Sequence, residues 1–447
     1  MLVRNDLAKN KRKKSSLHSG ARTAGFCLSV FLCVIALSAT AQLQSGVLVN
    51  FSDVHQRIDG FGASDRWHPA LTDAQADLFF SPTAGIGLSI LRVSINVNGD
   101  DVSAYSNATK AAARGAVVWA APWTAPGAWK DNGTTSNGGH LLVANYDAWA
   151  TRLAGFAQKL QLNAGVPLYG LSVQNEPDWT ATWDTMLYTN QEMTNFVKVL
   201  GPKLAALSPR PKLIMPEVGG WGNAWGFASS ILGDSTAAPY LDIIAAHQYG
   251  GVSAPQTTTR PIWQTEQSSF EGFDPSIGNA LMVAQWMHDA IVTGNASAWH
   301  YWWLIGQNGD DEGLIGYNGN TQITKRLYAV GNFSKFVRPG FVVVGVVGGP
   351  GGVSLTAYKN SATGAFVIVA INQNGSDVST NVTLNGLTAS SVTPWVTSSS
   401  LDLAQQTALT VFGGSFTATL RASSVTSFVG SGSGGASPSA PTGLIIK

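Results

Sequence analysis

Between about Gln56 and Pro339, eight short apolar runs alternate with longer amphipathic stretches, and this alternation constrains the fold more than any other feature. The runs are Ile58–Ala63, Leu88–Ile95, Ala116–Ala121, Leu168–Val173, Lys212–Pro216, Ile243–His247, Pro261–Thr265 and Ala298–Leu304. Each is nearly continuous in hydrophobicity and rich in Val, Ile, Leu or aromatic residues, as strands buried on both faces of a parallel sheet must be. Between them, Tyr146–Asn163, Asn190–Leu207 and Asn279–Thr293 carry helical periodicity; the first places Trp149, Leu153, Phe156, Ala157 and Leu160 on one face. Strands alternating with helices form βαβ units. Eight such units in roughly 280 residues predict an α/β architecture, a (β/α)8 TIM barrel. The rival, a doubly wound open sheet, wants a Gly-rich phosphate turn after its first strand, and Gly60-Phe61-Gly62 does not complete one.

From Gly340 to Val429 the pattern changes to short alternating segments: Val353–Tyr358, Phe366–Asn372, Val378–Leu384, Val392–Thr397, Leu409–Val411, Ser415–Leu420 and Ser424–Phe428. Gly, Asn and Ser separate them and no helical pattern intervenes, which predicts an appended all-β sandwich side domain. The strand-like Gly46–Phe51 precedes the barrel and can pair into that unit. The expected organisation is a leader at 1–41, an N-terminal strand segment at 42–55, a barrel at 56–339, a β-domain at 340–429 and a Gly/Ser/Pro linker at 430–447. Within the last, Thr442-Gly443-Leu444 reads either as the opening of a further module or as a frayed end.

The leader has three parts. Seven basic residues (Arg4 to Arg22) precede an apolar run from Ala24 to Leu37, followed by the small residues of Ala39-Thr40-Ala41. This is the layout of a secretory signal peptide, with cleavage expected before Gln42. The apolar run, about 14 residues, is short for a bilayer-spanning anchor, which needs roughly 20. Export predicts a secreted, extracellular protein with no membrane association after cleavage, and a monomer is expected. Removing 1–41 leaves 20 Lys+Arg against 25 Asp+Glu, so no basic surface for nucleic acid is indicated. Cys27 and Cys33 both lie in the leader. The remainder therefore has no thiol for catalysis, disulfides or metal binding and must be stabilised by its core, for which about 400 residues suffice.

Fourteen of the 15 Trp fall between Trp67 and Trp303. Several in one segment, mostly near strand ends, predict a cleft that stacks flat ligands such as sugar rings. Barrel sites form at the C-terminal ends of strands. There, the fourth run leads into Gln174-Asn175-Glu176-Pro177-Asp178 and the seventh into Glu266. Two carboxylates facing each other across a barrel mouth suit glycosidic cleavage: one protonates the departing oxygen, and the other attacks the anomeric carbon or activates water. Arg92, ending the second strand, is expected to keep Glu266 ionised. Asn175 can hydrogen-bond a sugar hydroxyl, His247 and Tyr249 can orient a carboxylate, and Trp302 or Trp303 can floor the sugar subsite. Trp123 and Trp179 are further substrate-contact candidates, among the cleft-loop tryptophans Trp67, Trp123, Trp129, Trp179, Trp183, Trp221 and Trp225.

Four motifs together resemble glycoside hydrolase family 30, most closely its bacterial glucuronoxylanase branch. They are Arg57-Ile58-Asp59-Gly60-Phe61-Gly62, Ser89-Ile90-Leu91-Arg92, Ser172-Val173-Gln174-Asn175-Glu176-Pro177-Asp178 and Asn332-Phe333-Ser334-Lys335-Phe336-Val337-Arg338-Pro339-Gly340. The resemblance spans about Val47 to Val429. It implies a barrel with a side β-domain built from both chain ends, and a retaining endo-xylanase with Glu176 as acid/base and Glu266 as nucleophile. The branch carries an Arg-x-Tyr after strand eight that grips glucuronate. Here Gln307 and Gly309 stand at those positions, followed by Asp310, Asp311 and Glu312. A guanidinium fork for a carboxylate is lost, and the three acids are expected to add repulsion. Xylan hydrolysis not strictly dependent on glucuronate follows, with Lys130 a possible substitute cation.

Among other residues, Glu217 ends strand five as a competing carboxylate, expected to line substrate or to be structural. His68 and His140 are expected in cleft loops, His300 in the core, and Asp59 in a strand turn. No His/Asp/Glu grouping has metal-ligand spacing, so neither metal nor other cofactor is expected. The alternatives are the same chemistry on a β-1,6-galactan or β-glucan, and a non-catalytic polysaccharide-binding protein, which would need neither strand-end carboxylate.

Overall fold

The computed structural model describes residues 46–307 and 309–433. The expected signal peptide and Thr442-Gly443-Leu444 lie outside the described residues. β1 (Val47–Arg57) opens the described chain. The next part alternates β2 (Gly60–Ser64), α1 (Asp73–Phe80), β3 (Ile90–Ile95), α2 (Val102–Ala112), β4 (Val117–Pro122), α3 (Tyr146–Ala164), β5 (Leu168–Ser172), α4 (Asn190–Ala205), β6 (Lys212–Val218), α5 (Ala224–Leu232), β7 (Leu241–His247), β8 (Ile262–Glu266), α6 (Ile277–Val292) and β9 (Ala296–Ile305). A hairpin of β10 (Gly313–Tyr317) and β11 (Thr321–Ile323) precedes α7 (Lys325–Ser334).

Strands β2 to β9 pair in sequence order, all parallel, and β9 closes onto β2. This is the closed eight-stranded barrel that the alternation predicts. Every residue of β3, β8 and β9 is buried, which explains why these segments read as continuous apolar runs. Hydroxyl caps fix several helix starts. Thr72 and Thr189 each form a reciprocal capping box, with Gln75 and Glu192, and Thr324 caps α7.

Large aromatic rings fill the barrel interior. Trp263 stacks on Tyr169 at 5.8 Å and meets Trp119 edge-on at 6.1 Å. His300 completes this layer: it accepts from Trp119 Nε1 at 3.1 Å, and its Nδ1 lies 2.8 Å from the Gln264 carbonyl oxygen. Burial drives the His300 pKa down to about 3, so the ring is neutral. Gly62 makes room for it, since a Cβ there would lie 2.6 Å from the His300 ring. Asp59 accepts from Trp263 Nε1 at 2.9 Å from the opposite end of the barrel.

The remaining strands are β12 (Val342–Gly348), β13 (Val353–Lys359), β14 (Ala365–Asn372), β15 (Val378–Asn385), β16 (Ser391–Thr397), β17 (Ala404–Gln405), β18 (Leu409–Thr410), β19 (Ser415–Leu420) and β20 (Ser424–Ser431). They form one sheet, in the order β17-β16-β20-β14-β13-β12-β1-β15-β19, with β18 on β16. The expected sandwich is therefore a single sheet curled over its own core. Phe416 of β19 and Phe428 of β20, far apart in strand order, meet at 5.3 Å. β1 joins it between β12, antiparallel, and β15, parallel. β20 runs to Ser431, paired with Ala365, so positions 430 and 431 are strand rather than linker. The Asn332–Gly340 motif latches the two units. Asn332 Nδ2 donates to Trp395 O and Ser427 Oγ in the β-domain, and Lys335 Nζ to Gly85 O in the barrel.

Candidate active site

Arg92 is the hub of the site. Fully buried on β3, its guanidinium donates through Nη1 to Glu266, at the end of β8, and through Nη2 to Asn175 and Glu217. Its carbon lies 4.7 Å from the ring centre of Trp123 and 5.3 Å from that of Trp119, so aromatic faces support the cation. Burial alone would lower the Arg92 pKa, but Glu217 and Glu266 carry it above its ordinary value. The chain turns sharply at two of the carboxylates: Glu176 has φ 45° and Glu217 φ 60°. Non-glycine residues hold this left-handed backbone only where surroundings enforce it. Here the Glu176 amide donates to the Glu217 carbonyl at 3.0 Å, and Asp178 accepts from Gly219 N and Asn223 Nδ2.

His247, at the end of β7, sits fully buried among three carboxylates. Its Nδ1 is 3.0 Å from Glu176 and 3.6 Å from Glu266, and its Nε2 is 3.6 Å from Glu217. Burial opposes its charge, but Glu266, Glu176 and Glu217 raise its pKa to about 10. Tyr249 donates to Glu266 at 3.1 Å, and burial keeps the phenol protonated. Two cations thus face three carboxyls. Burial pushes the Glu266 carboxyl upward against the pull of His247 and Arg92. Arg92 favours the ionised form as expected, while burial and the facing Glu176 act the other way.

One atom each from Glu176, His247 and Glu266 lie within 4.8 Å of one another. Spacing along the chain gave no sign of this potential ligand grouping. In this structure the three are bonded to protein partners: Glu176 to His247, and Glu266 to Arg92 and Tyr249.

Glu176 and Glu266 line a cleft of about 970 Å³. Asn175, Glu176, Tyr249, Glu266, Trp123, Trp179, Trp302 and Trp303 all line it, so the sequence-predicted contact residues converge; Arg92 and His247 lie beneath them. Trp67, Trp179 and Trp183 are half-exposed at its rim. Other expectations are corrected. Trp221 and Trp225 are buried in the packing around the barrel, and Trp129 packs on Trp149 and Arg152. His140 pairs with Glu192 away from the cleft, and His68 borders a separate pocket. Lys130 is buried, donating to Thr124 Oγ1 and Thr185 O, so it cannot reach a side group. Asp311 is buried against Arg326 and Asn279, its charge neutralised there, and only Glu312 of the three acids lines the cleft. Glu217 is inaccessible and serves as Arg92's counter-ion rather than a substrate contact. Phe270, 5.5 Å from Tyr249 and exposed in the cleft, was missed, although an exposed aromatic four residues after Glu266 is the signal for it.

Because the folded-state His247 pKa lies above its ordinary value, it stabilises the fold fully below about pH 6.5 and loses that contribution as pH rises through about 10. The stability excess of the wild type over His247→Asn should be constant below pH 6.5 and shrink toward pH 10. Urea unfolding of both proteins at pH 6, 8 and 10 checks this; a gap that widens with pH contradicts it.

The model of the glycosyl hydrolase family 30 TIM-barrel domain matches residues 101–267, which include Glu176 and Glu266. The glucuronoxylanase XynC of Bacillus subtilis is 34% identical over 424 residues, covering 90% of this chain and 96% of its own. The family 30 subfamily 8 xylanase Xyn30A of Clostridium acetobutylicum superposes with TM-score 0.78 at 36% identity, over 86% of this chain and 99% of that one. A family 30 endoxylanase of Clostridium papyrosolvens gives TM-score 0.75 at 32% identity, over 86% of this chain and 100% of that one. With that coverage of both sequence and fold, the chain belongs to glycoside hydrolase family 30.

Proposed function

We propose that the protein is an exported, monomeric endo-β-1,4-xylanase acting by double displacement, with Glu266 as nucleophile and Glu176 as acid/base. The observation that carries this reading is the pair of carboxylates, with an oxygen of each within 4.8 Å, at the base of a Trp-lined cleft. Retaining pairs stand about 5–5.5 Å apart and inverting pairs about 6.5–9.5 Å, the latter leaving room for water. Glu266, gripped by Arg92 and Tyr249, attacks the anomeric carbon as the glycosidic C–O bond breaks. Glu176 gives its proton to the departing oxygen, then takes one from the water that hydrolyses the glycosyl-enzyme. Asn175 spends its oxygen on Arg92, which leaves its amide N–H groups for a sugar hydroxyl.

Relatives named as xylanases support the xylan assignment, and the half-exposed rim tryptophans suit a chain lying across the cleft. The described cleft lining contains no Lys or Arg to pair a glucuronate, and Gln307 donates instead to the Trp67 carbonyl. A charge-assisted contact contributes about 1.5–3 kcal/mol, so its loss removes roughly 10- to 100-fold discrimination. Plain xylan and glucuronoxylan should therefore be cleaved at comparable rates. Product analysis on plain xylan, glucuronoxylan, arabinoxylan, β-1,6-galactan and β-1,3- or β-1,6-glucan tests the substrate; cleavage of only the last two classes refutes it. Chemical reduction of the glucuronate carboxyls should leave rates and product lengths unchanged, and a large loss would show that glucuronate is read.

A further inference from the structure

β9, at ten residues, outruns the other barrel strands. Its end carries β10 in parallel, Gly313 opposite Trp303 and Ile315 opposite Ile305, and β11 returns antiparallel. Barrel closure uses β8 and β2 as neighbours of β9 and needs neither strand of this hairpin. The hairpin instead walls a second pocket of about 390 Å³ against the loop after β2. Trp67 borders both this pocket and the catalytic cleft. The residue is 48% exposed, its backbone is left-handed at φ 60°, and Gln307 Nε2 holds its carbonyl at 3.1 Å. A strained, clamped, half-exposed Trp between two cavities is a feature that core packing does not require.

We infer that this second pocket binds one further uncharged glycosyl unit of the polysaccharide, either the next main-chain sugar or a branch beside it. The inference rests on the proposed polysaccharide substrate. The volume lies within the range of small-ligand sites. Trp67 and Tyr317 offer aromatic faces, and Gln75, Gln307 and Thr321 offer neutral hydrogen-bonding groups, the combination that sugar rings need. Gln75 commits its oxygen to the Thr72 amide at 2.8 Å, leaving its amide N–H groups. The described lining includes no Asp, Glu, Lys or Arg, and burial holds the His68 pKa below its ordinary value, so that ring is neutral. A uronate would bring a charge that nothing in this lining pairs.

The test compares the wild type with Thr321→Trp, which fills the pocket, and Tyr317→Ala, which removes one aromatic wall. Substrates are linear oligosaccharides of increasing length, and oligosaccharides with a single uncharged pentosyl branch, from whichever panel polymer the enzyme cleaves. At least one variant should keep kcat/KM on the shortest cleaved linear substrate within about twofold and lose at least about tenfold on substrates that reach the pocket. Loss confined to longer linear substrates assigns a main-chain sugar; loss confined to branched ones assigns a branch. Equal loss on every substrate in both variants, or no loss on any, overturns the inference. Should the cleaved polymer not be xylan, the substrate reading fails while this comparison still decides the pocket.

Discussion

Glu266→Ala should abolish turnover on every substrate, by on the order of 10⁴-fold or more, because no group remains to form the glycosyl-enzyme. Glu176→Ala should lose about 10²- to 10⁴-fold on xylan, where the leaving sugar needs a proton. The same variant should still form the glycosyl-enzyme from aryl glycosides with good leaving groups, which depart unprotonated. Added azide should then accelerate it and give a β-glycosyl azide with retained configuration. Kinetics of both variants on xylan and on an activated aryl xyloside, with and without azide, check this; azide rescue of the Glu266 variant instead would exchange the two roles.

The second large effect concerns Arg92, which contacts Glu217, Glu266 and Asn175 from a fully buried position. Arg92→Met keeps the bulk and removes the charge. Glu217, one of whose oxygens already lacks a hydrogen-bond partner, then loses its closest cation and keeps only His247, 3.6 Å away. Breaking a buried pair in this way costs about 3–5 kcal/mol. The denaturation midpoint should fall accordingly, and Arg92→Met combined with Glu217→Gln should recover part of it by removing the charge that lost its closest cation. A double variant no more stable than the single one would show that Glu217 is not the counter-ion that matters.

The barrel was legible because its strands are buried on both faces, so hydrophobicity alone marks them. Strand-end position likewise brought Glu176, Glu217 and Glu266 to notice, and burial then sets Glu217 apart from the two that line the cleft. What the sequence could not convey is where a long side chain ends. Lys130 and Asp311 read as charges near the cleft, yet each is buried against partners identified only by the fold. Trp179 and Trp221 are the same residue type in similar loops, but one is 56% exposed and the other 2%. The hairpin β10–β11 and strand β12 escaped notice because Gly-rich stretches mute the alternation that marks a strand. The Glu217–Arg92–Glu266 bridge joins residues up to 174 positions apart, a separation over which no local pattern operates.

Trapping the covalent intermediate tests the central claim most directly. A 2-deoxy-2-fluoro xylobioside with a good leaving group should inactivate the enzyme by acylal formation, since hydrolysis of the glycosyl-enzyme is slowed more than its formation. Peptide mapping by mass spectrometry should then find the fluoroxylobiosyl mass on the peptide containing Glu266. The label on Glu176 or Glu217, or turnover of a cleavable xylooligosaccharide with inverted configuration, would contradict the account.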